Sequence, residues 1–193
     1  MTCHLTNSMK DSSSIGRSHR KPDWKREAKS SAFEWSPYKS LLAAIRCYQA
    51  TRDRKDVLSV IRWRLAVVRW RFWCVVGGIS IPLRCQIGGG LQMPHTNGIV
   101  INVGAKVGFN CDIYQQVTIG DMKGCPTIGN GVFIGPGAKI LGPIFVGDGA
   151  CIGANALVIR NVPPGGLALA APAEIRPAGD ETLRISRPKP VAR

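Results

Sequence analysis

The chain has 193 residues, 26 Lys+Arg against 12 Asp+Glu, a formal charge of +14, and 45% hydrophobic residues. That length suits one domain with extensions, and the apolar share is ample for a core, which excludes wholesale disorder. Seven scattered cysteines, with no CxxC and no metal-ligand spacing, read as reduced thiols in a cytoplasmic protein.

The charge is uneven. Residues 1–80 carry 16 Lys+Arg and 6 Asp+Glu, whereas residues 81–193 carry 10 and 6. Residues 1–36 are rich in Ser, Lys and Arg and lack an apolar period, so they are expected to form a disordered basic arm. No stacking platform or reading motif accompanies the charge, so nucleic acid is not an expected partner. The first twenty residues are polar and show no secretory signal. The apolar run from Phe72 to Leu83 is far shorter than the roughly 20 residues a spanning helix needs.

Residues 37–79 predict a helical region with two helices, over 38–50 and 56–76. The second places Trp63, Trp70 and Trp73 near one face, with Arg62 and Arg69 close by and Arg64 and Arg71 opposite. Its amphipathicity is therefore poor. Two readings stand: packing against the next domain or a neighbouring subunit, or peripheral contact with membrane head groups through 56–76.

Residues 80–163 follow a period of six, which neither a helix nor a strand explains. Ile81, Ile87 and Met93 mark the first three repeats. After a two-residue insertion come Ile101, Val107, Ile113 and Ile119. After a three-residue insertion come Ile128, Ile134, Ile140, Val146, Ile152 and Val158. Four residues beyond most repeat starts lies a second small or apolar residue, such as Cys85, Ala105, Cys111, Ala138 or Ala156. Short strands joined by tight turns satisfy this pattern, with three sides closing a coil of about 18 residues. The predicted fold is mainly β: a hexapeptide parallel β-helix behind a short helical preface. Residues 164–193 are expected to cover the last coil and end in a basic tail.

A regular coil wall carries no catalyst, so the insertions are the places to look. The first holds Pro94, His95, Thr96, Asn97 and Gly98; His95 is the only His after residue 19. Imidazole is the side chain that trades a proton near neutral pH, so His95 is a candidate general base. The second insertion, from Asp121 to Pro126, is a loop able to wall a pocket. Its Cys125 has no second His to activate it as a nucleophile. One His also falls short of a three-His zinc site, and no metal is expected. These residues point to transfer of an activated group onto a hydroxyl or amine.

The runs IGGGLQMPHTNGIVIN, DIYQQVTIG, CPTIGNGVFIGPGAKILG and IGANALVIRNVPPGG resemble the serine acetyltransferase-like branch of the hexapeptide-repeat acyltransferases. The resemblance covers about residues 80–175. It implies a left-handed β-helix, a homotrimer, and acetyl-CoA as a co-substrate lying between subunits. It implies that His95 is the catalytic base, that Gly120, Gly137 and Ala154 line the CoA arm, and that the acceptor meets Pro94, Asn97 and Cys125. Serine acetyltransferases have an Asp that orients the base where this chain has Ser80. They have an Asp directly before the base, here Pro94, and an Arg-His pair at Gly124 and Cys125. All three departures concern the acceptor. A sugar hydroxyl of a capsular, exopolysaccharide or lipopolysaccharide pathway is the expected acceptor. L-serine is the first alternative, and a silent trimeric scaffold is the second.

Overall fold

The computed structural model describes residues 21–31, 34–120 and 123–173. Among the described residues, a 3-10 turn (Trp24–Arg26) and two α-helices precede twelve short strands. Helix α1 is Pro37–Thr51 and α2 is Val57–Gly77. Pro37 suits the first turn of α1, where its missing N–H has no helical acceptor to lose. Asp56 caps α2 by accepting from the Ser59 N–H at 2.9 Å. Gly78, with φ +61°, ends α2 in the left-handed conformation a side chain disfavours.

The strands are β1 (Gln86–Ile87), β2 (Val100–Ile101), β3 (Lys106–Val107), β4 (Asp112–Ile113), β5 (Thr118–Gly120) and β6 (Thr127–Ile128). Then follow β7 (Phe133–Ile134), β8 (Lys139–Leu141), β9 (Phe145–Val146), β10 (Cys151–Ile152), β11 (Leu157–Val158) and β12 (Leu167–Ala168). They form three parallel four-stranded sheets, in the orders β1-β3-β6-β9, β2-β5-β8-β11 and β4-β7-β10-β12. Each sheet is one side of a triangular left-handed coil of about four turns.

Register follows the sequence period. Ile134 pairs with Ile152 and Ile128 with Val146, a step of one regular coil. Where the three-residue insertion intervenes, Val107 pairs with Ile128 and Ile119 with Ile140. All thirteen aliphatic repeat starts, from Ile81 to Val158, are buried. The second set is buried too, including Cys85, Cys111, Ala138 and Ala156. A stacked coil buries each such residue against those above and below it, and each coil contacts only its neighbours.

The open N-terminal end is closed by α1. Leu41, Leu42 and Ile45 are fully buried in one core with Ile81, Leu91 and Met93. Carbonyls at that end take side-chain donors: Arg46 donates to Ile87 and Gly88, and Gln49 to Leu83 and Cys85. A bare sheet edge would otherwise present unpaired backbone groups.

Two expectations change. Residues 21–27, placed in a disordered arm, lie against the coil; residues 1–20 and 32–33 are outside the described residues. The Asp23 N–H donates to Asn110 Oδ1 at 2.8 Å, and Asn110 Nδ2 donates to the Lys21 carbonyl at 2.9 Å. Arg26 donates to the Asn110 carbonyl and pairs with Asp112. Burial raises the Asp112 carboxyl above its ordinary range, and Arg26 pulls it partly back. Glu27 accepts from Arg46 at 3.0 Å and from the Leu91 N–H at 3.2 Å. The Trp24 ring lies where a Cβ on Gly89 would stand, 2.8 Å from it. This strap is held by specific polar partners rather than by an apolar period. The second change is at the C-terminal end, where Leu167–Ala168 pairs with Cys151–Ile152 as a further rung rather than a separate cover. Residues 174–193 lie outside the described residues.

Three outcomes are expected. Ala138→Arg, at a position with no spare volume, should abolish the soluble folded protein on expression. Asn110→Ala should lower stability to denaturant by about 1 kcal/mol, because it strips two part-buried hydrogen bonds from the strap. Burial pushes the Cys85 thiol up to about 11 and that of Cys111 to about 12. Neither should react with a thiol reagent at neutral pH until the coil unfolds; rapid labelling of the native protein would contradict this.

Candidate active site

The turns between coils stack into columns at the corners. One column runs through Gly78, Asn97–Gly98, Gln115–Gln116, Pro136–Gly137 and Ala154–Asn155. The Gly98 N–H donates to the Gly78 carbonyl at 2.8 Å, and the Gln116 N–H to that of Asn97 at 2.9 Å. The Gly137 N–H reaches the Gln115 carbonyl at 2.9 Å, and the Asn155 N–H reaches that of Pro136 at 2.8 Å. His95 sits on the extra-long turn at this corner, exposed like its neighbour Pro94. Of the sequence-predicted residues, the column therefore gathers Pro94, His95, Asn97, Gly137 and Ala154.

The imidazole of His95 makes no hydrogen bond among the described residues. Its ring faces Tyr114, 6.3 Å away between centroids, and Tyr114 packs in turn on Phe133 at 5.3 Å. Ser80, which stands at the orienting position, is exposed and bridges Val100 in the sheet. Beside the same corner, Gln115 Oε1 is buried with no hydrogen-bond partner. Tyr114 and Gln115 were not candidates from sequence. The available signal was the run Tyr114-Gln115-Gln116, where most other turns have Gly.

Gly137 has φ +73°, and a Cβ there would lie 2.1 Å from Asn155 Oδ1. Glycine suits that left-handed φ, which Gln116 and Asn155 also adopt in the same column. Gly120 ends β5 and is buried, with room for a Cβ in tight contact with Leu141.

Cys125 stands apart. It belongs to a second corner, with Asn102, Gly104 and Pro143. Its Sγ donates to Asn102 Oδ1 at 3.5 Å and lies 2.6 Å from where a Cβ on Gly104 would be. The two corners are opposite ends of the side that contains β2 and β5. A strand side of the coil separates them, so one chain holds His95 and Cys125 at different corners. One chain does not bring them together. His95 lines neither of two surface clefts among the described residues. A cleft of about 600 Å³ is lined by Arg52, Arg84 and Lys106 among others, and one of about 590 Å³ lies between α2 and the first coil.

Residues 125–160 match the bacterial transferase hexapeptide family (six repeats). A serine acetyltransferase of Mycobacterium tuberculosis is 38% identical over 116 residues, which is 58% of this chain and 51% of that one. The structure of soybean serine acetyltransferase complexed with serine superposes with a TM-score of 0.57 at 31% identity. It covers 72% of this chain and 55% of the soybean chain. Serine acetyltransferase from Brucella abortus in complex with coenzyme A gives 0.59 at 27% identity, over 72% of this chain and 56% of its own. The resemblance to serine acetyltransferases holds along the coil. The chain spans 35–61% of the length of the curated relatives it matches.

Gly137→Ala should lower the melting temperature, since it combines a left-handed φ with the Asn155 clash; thermal unfolding checks this. The strain alone is about 1 kcal/mol or more. An unchanged midpoint would mean the stacked corner relaxes freely.

Proposed function

We propose that the protein is an acetyl-CoA-dependent O-acetyltransferase that works as a homotrimer, with L-serine as its acceptor. The observation that carries the reading is His95, held on an ordered corner of a coil that resembles serine acetyltransferases. Relatives named serine acetyltransferase, including one solved with serine and others solved with CoA, support serine over the sugar expected from sequence.

In this reading His95 accepts the proton of the acceptor hydroxyl. The hydroxyl oxygen attacks the thioester carbonyl, the C–S bond breaks, and the proton returns to the departing CoA sulfur. No acyl-enzyme forms. A positioned base of this kind is worth about 10²–10⁴ in rate, and holding two substrates together supplies much of the rest. Gly137 and Ala154 offer the CoA arm a surface with little or no side chain, and Gly120, buried at the end of β5, underlies the other end of that side. The Pro136 ring offers no N–H there. Pro94, Asn97 and Cys125 border the acceptor, with Cys125 supplied by the neighbouring subunit because one chain holds it on another corner.

A serine carboxylate needs a cation when it leaves water. The pair used by serine acetyltransferases is Gly124 and Cys125 here. Lys123, exposed beside them with φ +68°, is the cation left on this loop. It is the residue we assign to the carboxylate. The missing Arg-His pair also favours a second reading, in which an uncharged sugar hydroxyl takes the place of serine.

The test is free-thiol release from acetyl-CoA by the purified protein with and without L-serine. Serine-dependent release is expected, and His95→Ala should reduce it about 10²-fold or more without altering the oligomer. A fully active His95→Ala protein would remove His95 from the mechanism. Lys123→Ala should raise the KM for serine about ten-fold with kcat little changed, the signature of lost ground-state binding. No stimulation by serine in a protein that binds CoA would favour the sugar reading.

A further inference from the structure

We propose that the outer face of α2 docks on an anionic lipid surface. The assignment does not rest on the acetyl-transfer reading.

The structure bears out the packing reading for one side of this helix and leaves the other side bare. Its tryptophans turn inward: Trp70 Nε1 donates to the Ile81 carbonyl at 2.7 Å, Trp73 packs edge-on against Trp35, and Trp63 meets Tyr48. Ser59 and Ala66 are buried on the same side. The opposite side carries Leu58, Ile61, Leu65, Val68, Phe72 and Val75, at alternating spacings of three and four. All six are more than half exposed, up to 75% at Val75. The stripe is unbroken by a polar residue and about 26 Å long at roughly 1.5 Å per residue. Arg62 and Arg69 border it on one flank, Arg64 and Arg71 on the other. All four are exposed, and none forms an ion pair among the described residues.

Charge selects the occupant. A second copy laid on this stripe would set arginine against arginine in either orientation, which opposes self-pairing. The chain's own outlying segments are no better suited, because 1–20 and 174–193 are both net basic. An anionic bilayer matches both features. Aliphatic side chains enter the acyl boundary while guanidinium groups on both flanks sit at the head groups. The helix would lie in the surface plane, and no helix among the described residues is long and apolar enough to cross a membrane.

The experiment is co-sedimentation of the full chain with phosphatidylcholine vesicles, with and without phosphatidylglycerol. Partition onto the anionic vesicles should be at least about ten-fold stronger, and it should weaken as salt rises. The double variant L65E/V68E should lose that gain. R62Q/R69Q should reduce partition about ten-fold or more. All four positions are exposed, so both variants should keep the native circular dichroism spectrum and melting midpoint. Equal partition onto neutral and anionic vesicles, or none onto either, would overturn the proposal. So would undiminished binding by L65E/V68E, which would mean that the stripe does not meet the vesicle. A drop in oligomer mass for L65E/V68E, with no vesicle binding by the native chain, would assign the face to a second copy instead.

Discussion

Each coil of this protein is stable only because another lies against it. A single turn of short strands cannot bury its inward aliphatic residue, and its backbone groups need partners above and below. The column that includes Ile113, Ile134 and Ile152 supplies both, as parallel neighbours in register. The same requirement explains the ends. The N-terminal opening is filled by Leu41, Leu42 and Ile45 of α1, and its carbonyls are met by Arg46 and Gln49. The strap through Trp24, Arg26 and Glu27 then ties the basic N-terminal segment to the first coils.

This constraint also decides where chemistry can reside. The inward residues are committed to the column, so a reactive group must stand on a corner or an insertion. His95 stands on one corner, with Tyr114 and Gln115 around it; the second loop stands on another. In the proposed reading, separation along a side makes each chain half of a site. Trimerisation, as proposed, is then part of the mechanism rather than an addition to it.

The coil was legible in the sequence because its signal is periodic and local. An aliphatic residue every six positions survives two insertions, and both insertions reappear as longer register steps. The strap was not legible, because its contacts join residues far apart in sequence, as Arg26 joins Asp112. The segment 21–31 is denser in charge than 1–20 and holds Trp24, but it has no helical or strand period to say where it lies. Helix α2 was half legible. Both of its faces are apolar, one aromatic and one aliphatic, so the pattern could not say which face turns inward. Trp70 decides that through its bond to Ile81. At the site, His95 was evident from its rarity and its insertion. Tyr114 and Gln115 were hidden because they follow an ordinary repeat start, Ile113.

The claim most exposed to direct test is that the working site is shared between chains. His95→Ala and a bulky Cys125→Trp variant would each be purified alone and then as mixed oligomers made by co-expression. Thiol release from acetyl-CoA would be measured for all three. The account predicts that each parent is nearly inactive and that the mixture regains a substantial fraction of native turnover, since some interfaces then pair an intact His95 with an intact loop. Mixed oligomers no more active than their parents, or a fully active Cys125→Trp protein, would contradict it.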